Sequence, residues 1–190
     1  MHHNELPICQ LYKISPEFWE RDVLQIIHVL TGRQLEIKRY PKGKPYFFPH
    51  INLDFNVTHT RGIGICAIFS ESIGIDCEAL DRRVRASALA KRYFSKEEAE
   101  RILKHDDEEV LKREFLYHWT AKEASLKLIG SGLSGGLDSC IVEWTKCDDE
   151  YSQVLHKKGR ICLKYLELAP NFLLAVAAWR KFRLAPPVDW

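Results

Sequence analysis

The 190-residue sequence predicts an α+β fold, and three observations carry that prediction. Strand-like and helix-like patterns follow one another without the strict βαβ alternation that builds a doubly wound sheet. Two apolar segments, 63–69 and 73–78, are separated only by the polar Ser70-Glu71-Ser72, the spacing of neighbouring strands joined by a short turn. One long helical pattern then runs from about Glu108 to Ile129 and stops at Gly130-Ser131-Gly132.

Taken in order, Ser15-Pro16-Glu17 supplies an N-cap, a proline at the first helical position and an acid in the first turn. Phe18, Trp19, Val23, Ile26, Ile27 and Leu30 then recur at helical spacing before Gly32, so a helix is expected over 16–31. Leu35, Ile37 and Arg39 alternate with polar neighbours up to Pro41, and Leu53, Phe55 and Val57 do the same, as half-buried strands should. Between them Pro41-Lys42-Gly43-Lys44-Pro45 reads as a loop. After the paired strands, helices are expected at about 85–94, from Ser95 with the capping-box partner Glu98, and from Asp106 with Glu109 into the long helix. Cys140–Trp144, Ile161–Leu166 and Phe172–Trp179 read as strands, and Pro186-Pro187 ends regular structure.

The composition is that of an ordinary globular chain: 46% hydrophobic, 28% charged, net charge +2. That charge is too small to argue for nucleic acid or a membrane surface as partner. Six scattered cysteines form no CxxC pair or zinc spacing and are expected as reduced, mostly buried thiols. Residues 1–5 lack the layout of a secretory signal, and no apolar run approaches the roughly 18 residues of a membrane span, which makes the cytoplasm the default address. His2 and His3 form too poor a metal site to enter the functional argument.

Asp76 and Glu78 stand two apart on a predicted strand, so their carboxylates leave one face together while Cys77 points into the core. Oxygen ligands presented in this way suit a hard cation such as magnesium, and equally describe a solvated strand end. On the long helix the apolar stripe through Leu116 and Trp119 continues at Glu123 and Lys127, with Lys122 beside them. Alone, the Glu123–Lys127 spacing is that of an ordinary surface pair. His59, ending a strand, and Lys44, on a restricted loop, are each weak phosphate donors when considered singly.

In order, however, Gly43-Lys44-Pro45, Phe55-Asn56-x-Thr58-His59, Gly74-Ile75-Asp76-x-Glu78 and Trp119-x-x-Lys122-Glu123-Ala124-x-x-Lys127-x-x-Gly130-x-Gly132-Leu133 resemble the 4′-phosphopantetheinyl transferases of the surfactin-synthetase-activating type. The resemblance runs from about Asp22 to the end of the chain and includes Arg92-Tyr93-Phe94-Ser95. It implies a pseudo-dimer of two similar sheet-plus-helix halves, 1–73 and 74–190, with coenzyme A between them and the N-terminal half shortened. Members of this family carry a further strand and a basic stretch before the first helix. Here about fifteen residues precede it, and Pro16, Glu17 and Phe18 occupy the approach.

The resemblance further implies a magnesium-dependent, monomeric transferase that moves phosphopantetheine from coenzyme A to a serine of an acyl or peptidyl carrier protein. Asp76, Glu78 and Glu123 would hold the metal; Asp76, Glu123 and Lys127 would be catalytic; Lys44, Thr58, His59, Lys122 and Lys127 would contact coenzyme A. Glu123 or a metal-bound water would take the serine proton, and Lys127 would assist the departing adenosine 3′,5′-bisphosphate. Arg82, Arg83, Arg85, Lys91, Arg92, Lys96 and Arg101 form a basic excess that would either steer an acidic carrier helix or simply solvate helix faces. Two alternatives stand beside this reading: a coenzyme A or nucleotide-binding protein without transfer activity, and an unrelated scaffold with decorative charges.

Overall fold

A computed structural model describes residues 6–132, 136–143, 152–169, 171–186 and 188; Leu133, Trp144 and Cys147 lie outside the described residues. Eleven strands and four helices are described, in the order β1 (Ile8–Ile14), α1 (Trp19–Thr31), β2 (Glu36–Arg39), β3 (Pro45–Phe48), β4 (Asp54–Thr60), β5 (Ile63–Phe69), β6 (Ile73–Ala79), α2 (Ala86–Tyr93), α3 (Lys96–Leu103), α4 (Glu108–Ile129), β7 (Ile141–Glu143), β8 (Ser152–His156), β9 (Gly159–Leu168), β10 (Phe172–Ala178) and β11 (Arg183–Leu184). This is the mixed α+β architecture that the sequence predicts.

The strands form a first sheet in the order β11-β1-β5-β4, a second in the order β6-β10-β9-β8-β7, and the small β2–β3 ladder. Each large sheet repeats one arrangement: an opening strand pairs antiparallel with the last of its set, which pairs antiparallel with the one before it. The chain passes from the first sheet to the second between Phe69 and Ile73. It does not stay there. β11 returns to lie parallel to β1, with Phe182 buried edge-on against Phe69, so the end of the 74–190 segment belongs to the first sheet.

Side-chain alternation explains the layering. Ile65, Ala67 and Phe69 of β5 meet Ile73, Ile75 and Cys77 of β6 and Leu174 and Val176 of β10 in a core shared by the two sheets. Cys66 and Ile68 face the other way, onto Val23 and Ile27 of α1. On the far side of the second sheet, Ala175 and Ala177 pack under Ala121, Ala124 and Leu128 of α4. A strand covered on both faces therefore reads as a continuous apolar run, as 63–69 does.

Gly74 sets how close α4 comes. A Cβ there would collide with the Ala124 carbonyl oxygen and the Leu128 backbone nitrogen, with Leu128 Cα at 2.8 Å. Only a residue without a side chain lets the helix backbone rest directly on β6. α4 is capped by Asp107 rather than Asp106, the Asp107 carboxylate accepting from the Glu109 and Val110 backbone N–H groups, and is closed by Gly130 in the left-handed conformation. The capping box at Ser95 and Glu98 forms in full.

Several expectations change. The first helix starts at Trp19, three residues later than Pro16, because Asp22 turns its carboxylate back to accept from the Ser15 N–H and holds 16–18 as a bend. The segment before that helix, not read as a strand, forms β1: Cys9 and Leu11 face the intersheet core while Tyr12 and Ile14 face α1, so the strand alternates but carries apolar residues on both faces, which hides the apolar/polar pattern. β3, β8 and β11 also escaped the sequence reading, being short or rich in polar residues.

Candidate active site

Two sheet edges face each other at the centre of the molecule. β4 ends the first sheet, β6 ends the second, and alternate β4 side chains project toward the β6 backbone. On the α4 side of β6, Asp76 and Glu78 share a face with Gly74, as the period of two requires. Because α4 rests on Gly74, the side chains one helical turn apart at Glu123 and Lys127 come down beside these acids.

Lys127 Nζ donates to Asp76 Oδ1 at 2.8 Å, and the Thr58 hydroxyl donates to the same oxygen at 3.4 Å. Asp76 Oδ2 is buried without a hydrogen-bond partner. Burial pushes the Asp76 carboxyl above the usual carboxylate range, against the pull of the Lys127 ammonium. Glu78 pairs with Arg82, yet burial and then the Asp76 charge raise its pKa as well. Glu123 is raised to about 7, by burial first and then by Asp76, with Lys127 opposing and Glu78 adding. Three carboxylates thus sense one another in a poorly solvated place.

This donor set fits a hard divalent cation by its chemistry: oxygen ligands only, mutual repulsion that a cation would relieve, and an orphaned buried carboxylate oxygen. The positions depart from the expected convergence. Among the described residues no three acidic, histidine or cysteine side chains gather closely enough to hold one ion. Lys127 and Arg82 instead supply positive charge to Asp76 and Glu78.

Lys127, Lys44, Asn56, Val57, Gly130 and Gly132 line a cavity of about 210 Å³ between the β2–β3 turn, β4 and the end of α4. Lys44 Nζ is engaged with Asp54 Oδ2 at 2.8 Å and the Ile73 carbonyl at 3.3 Å, so the lysine presents its stem to the cavity near Gly130. A neighbouring cavity of about 250 Å³ shares Lys44 and is bordered by Asp54, Tyr40, Tyr46 and His50. It is remote from the carboxylates, and the first cavity, which touches Lys127, is the one relevant to their chemistry. His59 is exposed, one residue beyond Thr58.

Lys122 is a correction. Expected at coenzyme A, it is fully buried, with Nζ donating to Glu98 Oε2 at 2.8 Å, to the Leu137 carbonyl at 3.0 Å and to the Cys140 carbonyl. One position before Glu123 on a helix, it points about 100° away and enters the core rather than the cavity. Glu98 also accepts from the Val142 and Ser95 N–H groups. Burial alone would raise the Glu98 carboxyl, but the Lys122 ammonium and these donors hold it below the usual range. In the sequence Glu98 reads only as a helix cap and Arg82 as one of the basic residues that steer a carrier or solvate a helix face; the S-x-x-E spacing carries no sign of the second partner, twenty-four residues on.

Comparison with known proteins points the same way. A family model described as the 4′-phosphopantetheinyl transferase superfamily matches residues 72–177, which contain β6, α4 and the acids Asp76, Glu78 and Glu123. The chain is 32% identical over 160 residues to the 4′-phosphopantetheinyl transferase Sfp of Bacillus subtilis (strain 168), covering 83% of this chain and 69% of that one. It is 37% identical over 151 residues to another 4′-phosphopantetheinyl transferase of Bacillus subtilis, covering 78% and 64%. With the L-aminoadipate-semialdehyde dehydrogenase-phosphopantetheinyl transferase of Mus musculus it shares 33% identity over 110 residues, 52% of this chain and 36% of that one.

Proposed function

The chain belongs to the 4′-phosphopantetheinyl transferase superfamily, and from that membership we infer that it transfers the 4′-phosphopantetheine group of coenzyme A to a serine of a carrier protein. The observation that carries this reading beyond membership is the grouping of Asp76, Glu123 and Lys127 beside a cavity between β4 and α4. Phosphoryl transfer asks mainly for neutralised diphosphate charge and an aligned nucleophile, and a lysine among desolvated carboxylates at a cavity wall suits that demand.

In the proposed reaction the carrier serine oxygen forms a bond to the phosphorus next to pantetheine, and the bond from that phosphorus to the bridging diphosphate oxygen breaks. Adenosine 3′,5′-bisphosphate leaves. Glu123 takes the serine proton from its place beside Lys127 at the cavity. Lys127, half-exposed and already facing anionic oxygen, stabilises the departing phosphate. Asp76, Glu78 and Glu123, which stand too far apart here to share one ion, would have to close on magnesium to hold it, and it would then supply charge neutralisation at the diphosphate. Lys44 at the cavity wall, Thr58 and the exposed His59 are proposed as the coenzyme A side of the site.

The basic residues of 82–101 are proposed to meet the acidic carrier. Arg82, already drawn onto Glu78, connects that surface to the site. Five described cysteines are free thiols, four of them buried, which supports a reducing, cytoplasmic address, and a monomer is proposed. No described helix is long and apolar enough to cross a membrane. The test is mass spectrometry of an apo carrier incubated with coenzyme A, magnesium and this protein. A phosphopantetheine adduct is expected. Absence of the adduct with several carriers, alongside measurable coenzyme A binding, would favour a binding protein without transfer activity.

A further inference from the structure

An edge strand presents a row of unpaired N–H groups, and where such an edge is buried those groups must find acceptors. β6 is an edge of the second sheet and faces β4, an edge of the first, without backbone pairing between the two sheets. Its outward N–H groups are met by side chains. Ile73 N–H donates to Asp54 Oδ2 at 3.1 Å, Ile75 N–H to Asn56 Oδ1 at 3.1 Å and Cys77 N–H to the Thr58 hydroxyl at 3.1 Å. The offset is 19 residues at every rung, so the two strands run in fixed parallel register.

The ladder has functional ends. At one, Lys44 bonds both Asp54 and the Ile73 carbonyl. At the other, the Thr58 hydroxyl that accepts from Cys77 donates to Asp76 Oδ1. Asn56, only 4% exposed, is the middle rung, between the cavity and the strand that carries Asp76. We propose that Asp54, Asn56 and Thr58 form a register device for the active site, with Asn56 as its central positioning residue. Its part is to hold β6, and with it the Asp76 and Glu78 carboxylates, in line with the cavity wall on β4. A slip of one rung would move Asp76 by two residues along the wall, away from the Thr58 hydroxyl and the β4 side of the cavity, carrying α4 with it.

The three rungs use a carboxylate, an amide and a hydroxyl for one task, so the acceptor, not the residue type, is what the register needs. This yields the experiment, which rests on the transferase reading in only one of its arms. Asn56→Leu removes the acceptor at similar size, while Asn56→Asp and Asn56→Thr restore the acceptors used at the neighbouring rungs. In the free protein, exchange of the Ile75 amide should accelerate roughly tenfold in Asn56→Leu and stay near wild type in the other two. In the transfer assay, at a temperature where all variants are folded by circular dichroism, Asn56→Leu should lose roughly 10- to 100-fold in kcat with little change in KM for coenzyme A, as a misplaced reacting group would. Asn56→Asp and Asn56→Thr should recover most of it.

Wild-type Ile75 exchange in Asn56→Leu overturns the device. So does equal impairment of all three variants, which would assign Asn56 to a direct contact, or a loss of thermal stability with kcat intact, which would leave the ladder merely structural. A wild-type chain that transfers nothing overturns the functional reading instead, and in that case the exchange data alone decide the ladder.

Discussion

Lys127 Nζ lies 2.8 Å from Asp76 Oδ1, joining the last turn of the long helix to the strand on which it packs. Fifty-one residues separate the two in sequence. The pair exists because Gly74 lets α4 settle onto β6, and it places an ammonium between the site carboxylates and the cavity.

Asp76→Asn should separate activity from stability. The carboxylate is desolvated and only half satisfied, so a neutral isostere relieves a buried charge at pH 8 and the melting temperature should hold or rise. Transfer, followed by release of adenosine 3′,5′-bisphosphate, should fall about 100-fold or more. Unimpaired transfer would remove Asp76 from the site.

Gly74→Ala should act on the helix. The new methyl meets backbone atoms of Ala124 and Leu128, which cannot rotate away, so α4 must lift. Overpacking of this kind costs about 1–3 kcal/mol or more. Urea denaturation should show that loss, and transfer should fall with it because Glu123 and Lys127 move away from Asp76.

The site acids should make the metal-free protein less stable as pH rises. Glu123 titrates near 7 in the fold against an ordinary carboxyl near 4.5, so between these values the folded state holds more protons than the unfolded one. Asp76 and Glu78, also raised, act in the same direction. Stability from this source is present below the ordinary value and lost as pH climbs through 7. Melting temperatures in chelator between pH 5 and pH 8 should therefore fall, and Glu123→Gln should flatten the slope. An unchanged slope in Glu123→Gln would contradict the electrostatic picture of the site.

Lys122→Ala should be a stability variant. Removing one member of a pair whose side chains are 0% and 3% exposed strands the other, at about 3–5 kcal/mol. The double variant Glu98→Gln/Lys122→Met should recover much of that loss in denaturant titrations. It should also keep KM for coenzyme A, whereas a rise in KM would return Lys122 to the ligand.

Much of this molecule was legible in the sequence. The helix over Glu108–Ile129, the separate strands β5 and β6, the Ser95–Glu98 cap and the acids at 76 and 78 on one face all follow from local dihedral preference and burial period, which act over a few residues; that the short turn between β5 and β6 crosses from one sheet to the other does not. The motif order was enough to name the family. What the sequence left open was contact between distant segments. Lys122 and Lys127 are both lysines on one helix, yet the first is sealed in the core on Glu98 and the second meets Asp76. Thr58 reads as a ligand residue and Asn56 only as a member of the motif, while their oxygens hold the β6 backbone. Likewise β1 and β11 gain their strand character from pairing across the chain, not from their own pattern. Periodicity fixes which face a side chain leaves by. Only the packed tertiary structure decides what waits there, because a buried charge or N–H group takes whichever partner the fold brings within hydrogen-bond reach.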